Sequence, residues 1–274
     1  MPGSEIWLHP KSSLCSNNPI LIAISRSGAT SETLHAIEVF KDLFGERWAI
    51  ISCYEDSQMA IEAPYSFLTS GAKEESIVQT RSFSSMLLLT QHMAGVAANN
   101  NYYIDELKKV PEAFERLVKT YHEIVKSIVQ NEKYQHFVFL GSGINYGIAS
   151  ETMLKMKEMS ISISEAFHFM EFRHGPMSMI TPNSLVIGLV SDTGRNAELN
   201  VLGDMKKLGA STLALIDGAD GSEADYVVDL KSGVSELARG VLFLPVLQLL
   251  SYYRSISKGL NPDRPKNLKA VVYL

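Results

Sequence analysis

Basic clusters, long apolar runs and cysteines are all scarce in this sequence. Its 274 residues carry 25 Lys and Arg against 30 Asp and Glu, so nucleic acid is a poor candidate partner. No apolar stretch approaches the roughly 20 residues that span a bilayer, and the opening MPGSEIWLHP lacks the basic start and apolar run of a signal peptide. Cys15 and Cys53 do not make a disulfide framework. We therefore predict a cytoplasmic protein that binds neither nucleic acid nor membranes.

The sequence does contain a regular alternation of short apolar runs and helical patterns. In the first half, strand patterns cover 19–24 and 47–53, and helical patterns cover 31–44 and 81–98. A charged, amphipathic pattern over 103–131 predicts one long helix between two halves. In the second half, strand patterns cover 136–141, 184–191, 211–217 and 226–230, and helical patterns cover 144–159, 195–207 and 235–258. This alternation predicts an α/β fold with parallel sheets.

The segment AISRSGATSET, residues 23–33, concentrates hydroxyl groups where a predicted strand ends and a helix begins. Ligands of open α/β sheets sit at the carboxyl ends of the strands, where a helix N-terminus offers free backbone N–H groups. Ser25, Ser27 and Thr30 add hydroxyl donors at this point, and Gly28 lets the backbone approach an anion. The turn suits a phosphate, but an N-cap with additional serines has the same composition.

A second group of polar residues lies in the other half of the chain. Glu151, Lys155 and Glu158 have the spacing i, i+4, i+7, so they share one helix face. Such a triplet alone is typical of a solvated Glu-Lys-Glu ladder. His174, which precedes Gly175 and Pro176, is on its own compatible with an ordinary loop.

Both segments resemble sequences of the sugar isomerase (SIS) family. ISRSGATSETL resembles the family's phosphate loop, S-x-S-G-x-T-x-[DE]-T. ETMLKMKEMSISISEAFHFMEFRHGP, residues 151–176, resembles the isomerase half of glucosamine-6-phosphate synthases, with E-x-x-L-K-x-K-E, S-E-A and K/R-H-G-P in the same order. Residues 76–83 resemble the stretch that walls the sugar pocket. Residues 259–268 resemble the tail that closes over the substrate.

The resemblance implies a role for particular residues in a phosphosugar site. Substrate binding falls to Ser25, Arg26, Ser27, Gly28, Thr30, Gln79 and Glu151. Glu158 is implied to move the proton between C1 and C2 beside Lys155, while His174 assists ring opening in the neighbouring subunit's site. A homodimer with shared active sites is therefore expected, and the acid–base chemistry calls for no metal and no cofactor. Arg26 stands where many relatives have Gln.

The resemblance also implies two SIS domains, each a doubly wound parallel sheet flanked by helices. The expected parts are a first domain (1–102), a linker helix (103–132), a second domain (133–258) and a C-terminal tail (259–274). In the family, the segment matched by PGSEIW follows an opening strand and helix, so we expect the first domain to lack both in this sequence. Lys269 lies one position earlier than the tail lysine of many relatives, which disfavours a Schiff base.

These features favour one function and leave others open. Deamination of glucosamine 6-phosphate to fructose 6-phosphate and ammonia is favoured, because no glutaminase domain with an N-terminal cysteine fits here. A deglycase or isomerase that acts on another amino or Amadori phosphosugar is the close alternative. A third class is a non-catalytic sugar-phosphate-binding protein, which would usually keep the loop at Ser25 without a carboxylate at Glu158.

Overall fold

The computed structural model describes residues 1–130, 132–219 and 221–269, which form two compact units. One unit comprises residues 1–94 and the described residues from 267 onward, and the other comprises the described residues from 95 to 266. Residues 270–274 of the predicted tail lie outside the described residues. Among the helices of the described residues, none is long and apolar enough to cross a membrane.

The first unit contains a parallel sheet with the strand order β1-β2-β3. Its elements are α1 (Gly3–Leu8), α2 (Pro10–Ser13), β1 (Leu21–Ile24), α3 (Ser31–Phe44), β2 (Trp48–Ser52), α4 (Gln58–Glu62), β3 (Ser66–Leu68) and the start of α5 (Arg81–Ala97). Phe40 of α3 packs with Trp48 and Ile50 of β2 in a buried core. This core fixes the end of β1 beside the start of α3, where the hydroxyl-rich turn lies.

The second unit contains a larger parallel sheet with the strand order β5-β4-β6-β7-β8. Its elements are α6 (Asn101–Leu107), α7 (Val110–Gln130), β4 (His136–Gly141), α8 (Ile144–Ser160), β5 (Ile163–His168), α9 (Phe169–Phe172), β6 (Ser184–Leu189), α10 (Arg195–Lys207), β7 (Ser211–Ile216), β8 (Tyr226–Asp229), α11 (Glu236–Arg239) and α12 (Leu244–Ser257). The chain runs from β4 to β5 on one side and then to β6 on the other, so the strand order reverses between β4 and β6. Reversals of this kind are where open α/β sheets bind ligands.

The predicted α/β class with parallel sheets flanked by helices is confirmed, because every described strand pair is parallel. The second unit's core consists of residues that the strand patterns placed in the interior. Val138 and Leu140 of β4 pack with Val186 of β6 and Ala214 of β7, all fully buried. The division into domains at 102, 132 and 258 stays a prediction.

The single long helix predicted over 103–131 is wrong. The structure has α6 from Asn101 to Leu107 and α7 from Val110 to Gln130. Pro111 is the reason, because it lacks an N–H group and its ring would clash with the carbonyl of residue 107 in a continuous helix. Proline is tolerated in the first turn of a helix, which is where Pro111 lies in α7.

The continuous helix predicted over 235–258 is also wrong, since α11 and α12 are separated by a 3₁₀ turn at Gly240–Phe243. Pro245 lies in the first turn of α12, which fits the same rule. The apolar patterns missed two strands. β3 has three exposed residues, and β5 has only one fully buried position, Ser164, so neither carries a buried apolar run.

Candidate active site

The hydroxyl-rich turn of the first unit is braced by its own side chains. Ser25 follows β1, and its Oγ accepts a hydrogen bond from the Gly28 N–H at 3.2 Å and lies 3.2 Å from Thr30 Oγ1. Ser27 Oγ accepts from the Ala29 N–H at 3.3 Å. Thr30 is the N-cap residue of α3, but its hydroxyl faces Ser25 and makes no side-chain cap to the helix. These hydrogen bonds preorganise the turn at the N-terminus of α3, which is the positive end of the helix dipole.

Gly28 meets a steric requirement of this turn. Its φ is +61°, a left-handed conformation that residues with a Cβ rarely adopt. A Cβ built on Gly28 would lie 2.1 Å from the Oγ of Ser57, the N-cap residue of α4. The backbone of the turn thus packs closely against the start of α4, which only glycine permits.

Arg26 is buried and connects the turn to the chain segment before α5. Its Nη1 donates to the Ser76 carbonyl at 3.0 Å and lies 3.9 Å from the Glu74 carboxylate, and both side chains are 6% exposed. Glu74 in turn accepts hydrogen bonds from the backbone N–H groups of Thr80, at 3.0 Å, and Ser82. The guanidinium therefore compensates a buried carboxylate of its own unit.

Gln79 lies at the same place, immediately before α5. Ser82 Oγ donates to its side-chain oxygen at 3.5 Å. The backbone amides of Thr80 and Ser82 meet at Glu74, and Gln79 is linked to them through Ser82. Arg26 joins this group to the hydroxyl-rich turn.

Glu151, Lys155 and Glu158 form a buried ion cluster on α8 in the second unit. The Lys155 side chain is 4% exposed, with its Nζ 3.4 Å from Glu151 Oε1. Lys155 Nζ also donates to Glu158 Oε2. The side chains of Glu151 and Glu158 are 11% and 22% exposed. Burial to this degree excludes the solvated surface ladder that the spacing alone would suggest.

Burial also changes the acidity of one carboxyl group in this cluster. Loss of water around Glu151 raises its pKa to about 7, against the opposing attraction of Lys155 and with a smaller push from Glu158. A carboxyl with a pKa near neutrality can gain or release a proton at little cost, which suits general acid–base chemistry. A carboxyl group whose pKa lies near 7 beside a buried cation is also common at functional sites.

His174 lies apart from the ion cluster along the chain, in an exposed turn after α9. Its backbone N–H donates to the Glu171 carbonyl at 3.0 Å. Gly175 follows with φ +118°, and Pro176 begins a 3₁₀ turn. The structure therefore presents the imidazole to solvent.

A cavity of about 440 Å³, which the sequence patterns did not predict, lies between the starts of α8 and α10. It lies where the strand order reverses, and its polar lining is largely paired within the protein. Glu198 accepts from the Ser191 N–H at 2.6 Å and from Ser191 Oγ at 3.0 Å, and Ser191 Oγ accepts from the Gly194 N–H at 2.8 Å. Glycines in G-S-G at the end of β4 and in S-D-T-G after β6 are the sequence signal that could have located it.

Comparisons of sequence and of structure with known proteins find similar relatives. Residues 131–256 match the family described as SIS domain. Glutamine–fructose-6-phosphate aminotransferase of Sulfurisphaera tokodaii is 28% identical over 256 residues, which are 92% of this chain and 42% of that protein. The crystal structure of glucosamine-6-phosphate deaminase from Thermotoga maritima superposes with a TM-score of 0.80 at 28% identity, covering 100% of this chain and 81% of that one.

A second solved structure also has a similar fold. The C-terminal domain of glucosamine-fructose-6-phosphate aminotransferase from Francisella tularensis gives a TM-score of 0.82 at 25% identity, covering 92% of this chain and 76% of that one. The chain spans less than half the length of the curated aminotransferases that it matches, 42% for the Sulfurisphaera protein. The matched region contains the α8 ion cluster and His174. Residues 131–256 therefore match a SIS domain, and the chain is similar in sequence to glutamine–fructose-6-phosphate aminotransferases and in structure to glucosamine-6-phosphate deaminase.

Proposed function

We propose that this protein is a phosphosugar isomerase-type enzyme that converts glucosamine 6-phosphate to fructose 6-phosphate and ammonia. The observation that carries the proposal is the buried cluster on α8, in which Lys155 lies between the carboxylates of Glu151 and Glu158. A buried ammonium between two carboxylates on one helix places proton donors and acceptors together in a site shielded from bulk water. Such groups can transfer protons to and from a bound substrate. The similarity to a glucosamine-6-phosphate deaminase supports the choice of substrate.

In the proposed reaction, Glu158 carries a proton between two carbons of the open-chain sugar. The carboxylate removes the proton from C2 of the aldehyde form, and the C1 carbonyl takes up a proton to give a C1–C2 enaminol. Return of a proton to C1 leaves an imine at C2. Water adds to that imine, and ammonia leaves as the C2 ketone of fructose 6-phosphate forms. One carboxylate can serve both carbons from one face, so the chemistry requires one base and a proton donor such as the cluster around Lys155.

The turn of the first unit is the proposed phosphate site. Ser25, Ser27 and Thr30 would bind the phosphate oxygens together with the start of α3, in the way that helix N-termini bind anions. Arg26 is also proposed as a phosphate ligand, although its guanidinium is already engaged with Glu74 and Ser76. Gln79 would line the sugar pocket. Residues 1–102, which contain this proposed phosphate turn, are proposed as a further SIS domain.

We also propose a homodimer in which the partner's His174 assists ring opening at each site. The exposed position of His174 in a glycine-proline turn is compatible with this role. A complementation experiment tests it directly: Glu158→Gln and His174→Ala variants are purified, unfolded together and refolded as a mixture. Recovery of activity in the mixture, with none in either variant alone, is the expected result. A mixture as inactive as its components would show that the two residues act within one chain.

Product analysis distinguishes deamination from the alternative reactions. Glucosamine 6-phosphate should release ammonia and fructose 6-phosphate in equal amounts. A deglycase would instead release an amino acid from an Amadori phosphosugar, and a simple isomerase would convert an aldose phosphate without releasing an amine. A non-catalytic protein would bind these phosphosugars without turnover, which would contradict the proposed enzyme.

A further inference from the structure

The helix that carries the ion cluster ends in a conformation that its sequence does not favour. Three residues after Glu158, Ile161 has φ 48° and ψ 46°, in the left-handed region. Helices that end this way usually have glycine or asparagine at that position. The left-handed conformation is an outlier for a β-branched residue. The last turn of α8 therefore requires stabilisation from outside the helix.

Lys258 supplies that stabilisation from the end of α12. Its Nζ donates to the carbonyl of Ser160 at 2.6 Å and to the carbonyl of Ile161 at 2.9 Å, and it lies 3.5 Å from Ser162 Oγ. The last carbonyls of a helix lack partners within the helix, and a cation at this end also complements the helix dipole. One ammonium group thus binds both sides of the left-handed residue.

The position of Lys258 is itself fixed by packing. Lys258 is the C-cap residue of α12 (Leu244–Ser257), a helix that packs directly against α8. Its backbone N–H donates to the carbonyl of Ser255 at 3.1 Å. The ammonium is therefore attached to a rigid neighbour of α8, and its contacts set where the last turn of α8 lies.

Hydroxyl groups hold the same turn from inside. Ser160, which is fully buried, donates through Oγ to the Met156 carbonyl at 2.6 Å, and its Oγ lies 2.9 Å from that of Ser162. The Ile161 N–H donates to the Lys157 carbonyl at 3.0 Å, the last backbone bond of the helix. These contacts hold residues on both sides of Glu158 in the chain, and the Glu158 carboxylate accepts a hydrogen bond from Lys155.

We infer that Lys258 is a positioning residue for Glu158: by binding the Ser160 and Ile161 carbonyls, it fixes the last turn of α8 so that the Glu158 carboxylate is held at Lys155. The inference rests on the proposed function for its kinetic readout. Small displacements of a catalytic group cost large factors in rate. A loosened last turn should therefore lower kcat and leave KM nearly unchanged, since the proposed phosphate site lies in the other unit.

The test compares Lys258→Met with Lys258→Arg, which can still donate to the two carbonyls. Lys126→Met serves as the matched control, because it removes a cation from α7 in the same unit, where the side chain pairs with the exposed Glu123. A second-site variant, Lys258→Met with Ile161→Gly, replaces the strained residue by one that adopts positive φ freely. Glycine should make the lysine contacts less necessary.

The expected kinetic result is a fall in kcat of about 10-fold or more for Lys258→Met, with KM within about twofold. Lys258→Arg and the Ile161→Gly double variant should recover most of the loss, and Lys126→Met should match the parent. Unchanged kcat in Lys258→Met, or failure of Ile161→Gly to recover any of it, would overturn the inference.

Amide hydrogen exchange gives a readout that does not depend on the reaction. Exchange at the Ile161 N–H should be faster in Lys258→Met and should remain at the parent rate in Lys126→Met. If the parent turns over no phosphosugar, the proposed function fails, while faster exchange would still show that Lys258 fixes this turn. Unchanged exchange in Lys258→Met would overturn the inference whatever the activity.

Discussion

Lys155 donates a hydrogen bond to the Glu158 carboxylate one turn later on α8 while its side chain is only 4% exposed. On a protein surface, such an i, i+3 pair contributes less than about 1 kcal/mol to the free energy of unfolding. Below the surface, the desolvation of both charges must be compensated, and Glu151 brings a second carboxylate to the same ammonium from the preceding turn. Because Lys155 lowers the pKa of Glu151 and Glu158 raises it, a change at either residue should shift the pKa of Glu151.

The first prediction concerns the effect of Glu151 on stability as pH changes. Its folded pKa, about 7, lies above the ordinary value of 4.5, so the folded state holds this proton more tightly than the unfolded state. The contribution of this group to the free energy of unfolding should therefore fall as pH rises from about 4.5 to about 7, by at most about 1.4 kcal/mol per pH unit. Below that window the contribution is fully present.

Urea unfolding of the parent and of Glu151→Gln at several pH values measures this effect. The amide cannot ionise, so the parent should lose stability relative to Glu151→Gln across the window. Glu115→Gln is the control, since Glu115 lies on the exposed face of α7 beside Lys119 and its pKa is lowered by that lysine. Parallel stability curves for the parent and Glu151→Gln from pH 4.5 to 7 would contradict the raised pKa.

The sequence allowed the position of this cluster to be predicted, but not its environment. A spacing of i, i+4, i+7 places Glu151, Lys155 and Glu158 on one helix face whatever surrounds that face. Whether the face meets solvent or protein depends on how the rest of the unit, including β5 and α12, packs against α8. α12 lies far from α8 in the chain, and β5, which follows α8 directly, lacks the apolar pattern that would have predicted it.

The second prediction concerns the buried pair of Arg26 and Glu74. Replacing Arg26 by Met leaves the Glu74 carboxylate, which is 6% exposed, without its cation. The free energy of unfolding should fall by about 3–5 kcal/mol, the scale of a broken buried pair. The double variant Arg26→Met with Glu74→Gln should be more stable than Arg26→Met, because it removes the uncompensated charge.

Denaturant unfolding of the parent, Arg26→Met, Glu74→Gln and the double variant measures the coupling energy. Lys41→Met is the control, since Lys41 forms a partly exposed ion pair with Glu46, and its loss should cost less than about 1 kcal/mol. If Arg26→Met costs no more than Lys41→Met, the buried pair does not stabilise the turn, and a direct role of Arg26 at the phosphate becomes the better explanation.

The ion pair between Arg26 and Glu74 could not be predicted from the sequence. In the sequence, an arginine inside a hydroxyl-rich turn indicates an anion ligand, since guanidinium groups bind phosphate well. Glu74 lies 48 residues further along the chain, and nothing near it marks it as a partner. The structure also shows that the Thr30 hydroxyl faces Ser25, which N-cap preferences alone would not predict.

The third prediction concerns phosphosugar binding at the turn. Replacing both Ser25 and Ser27 by Ala removes two hydroxyl groups and should weaken binding of a hexose 6-phosphate by about 1–3 kcal/mol, the scale of hydrogen bonds to a charged group. Calorimetric titration measures the affinity, and inorganic phosphate as a second ligand isolates the phosphate contribution. Ser12→Ala, in exposed α2, is the control. Equal affinities in the parent and the Ser25→Ala/Ser27→Ala variant would reject this phosphate site.

The most direct measurement concerns Glu158 as the base between C1 and C2. Glu158→Gln keeps the size of the side chain and can still accept from Lys155, but it cannot take up a proton at neutral pH. Turnover of glucosamine 6-phosphate should fall by about 10²–10⁴-fold, the usual contribution of a general base. Phosphosugar affinity should stay nearly unchanged, and incorporation of solvent deuterium at C1 of the product should fall in parallel. Turnover and deuterium incorporation equal to those of the parent would contradict the proposed mechanism.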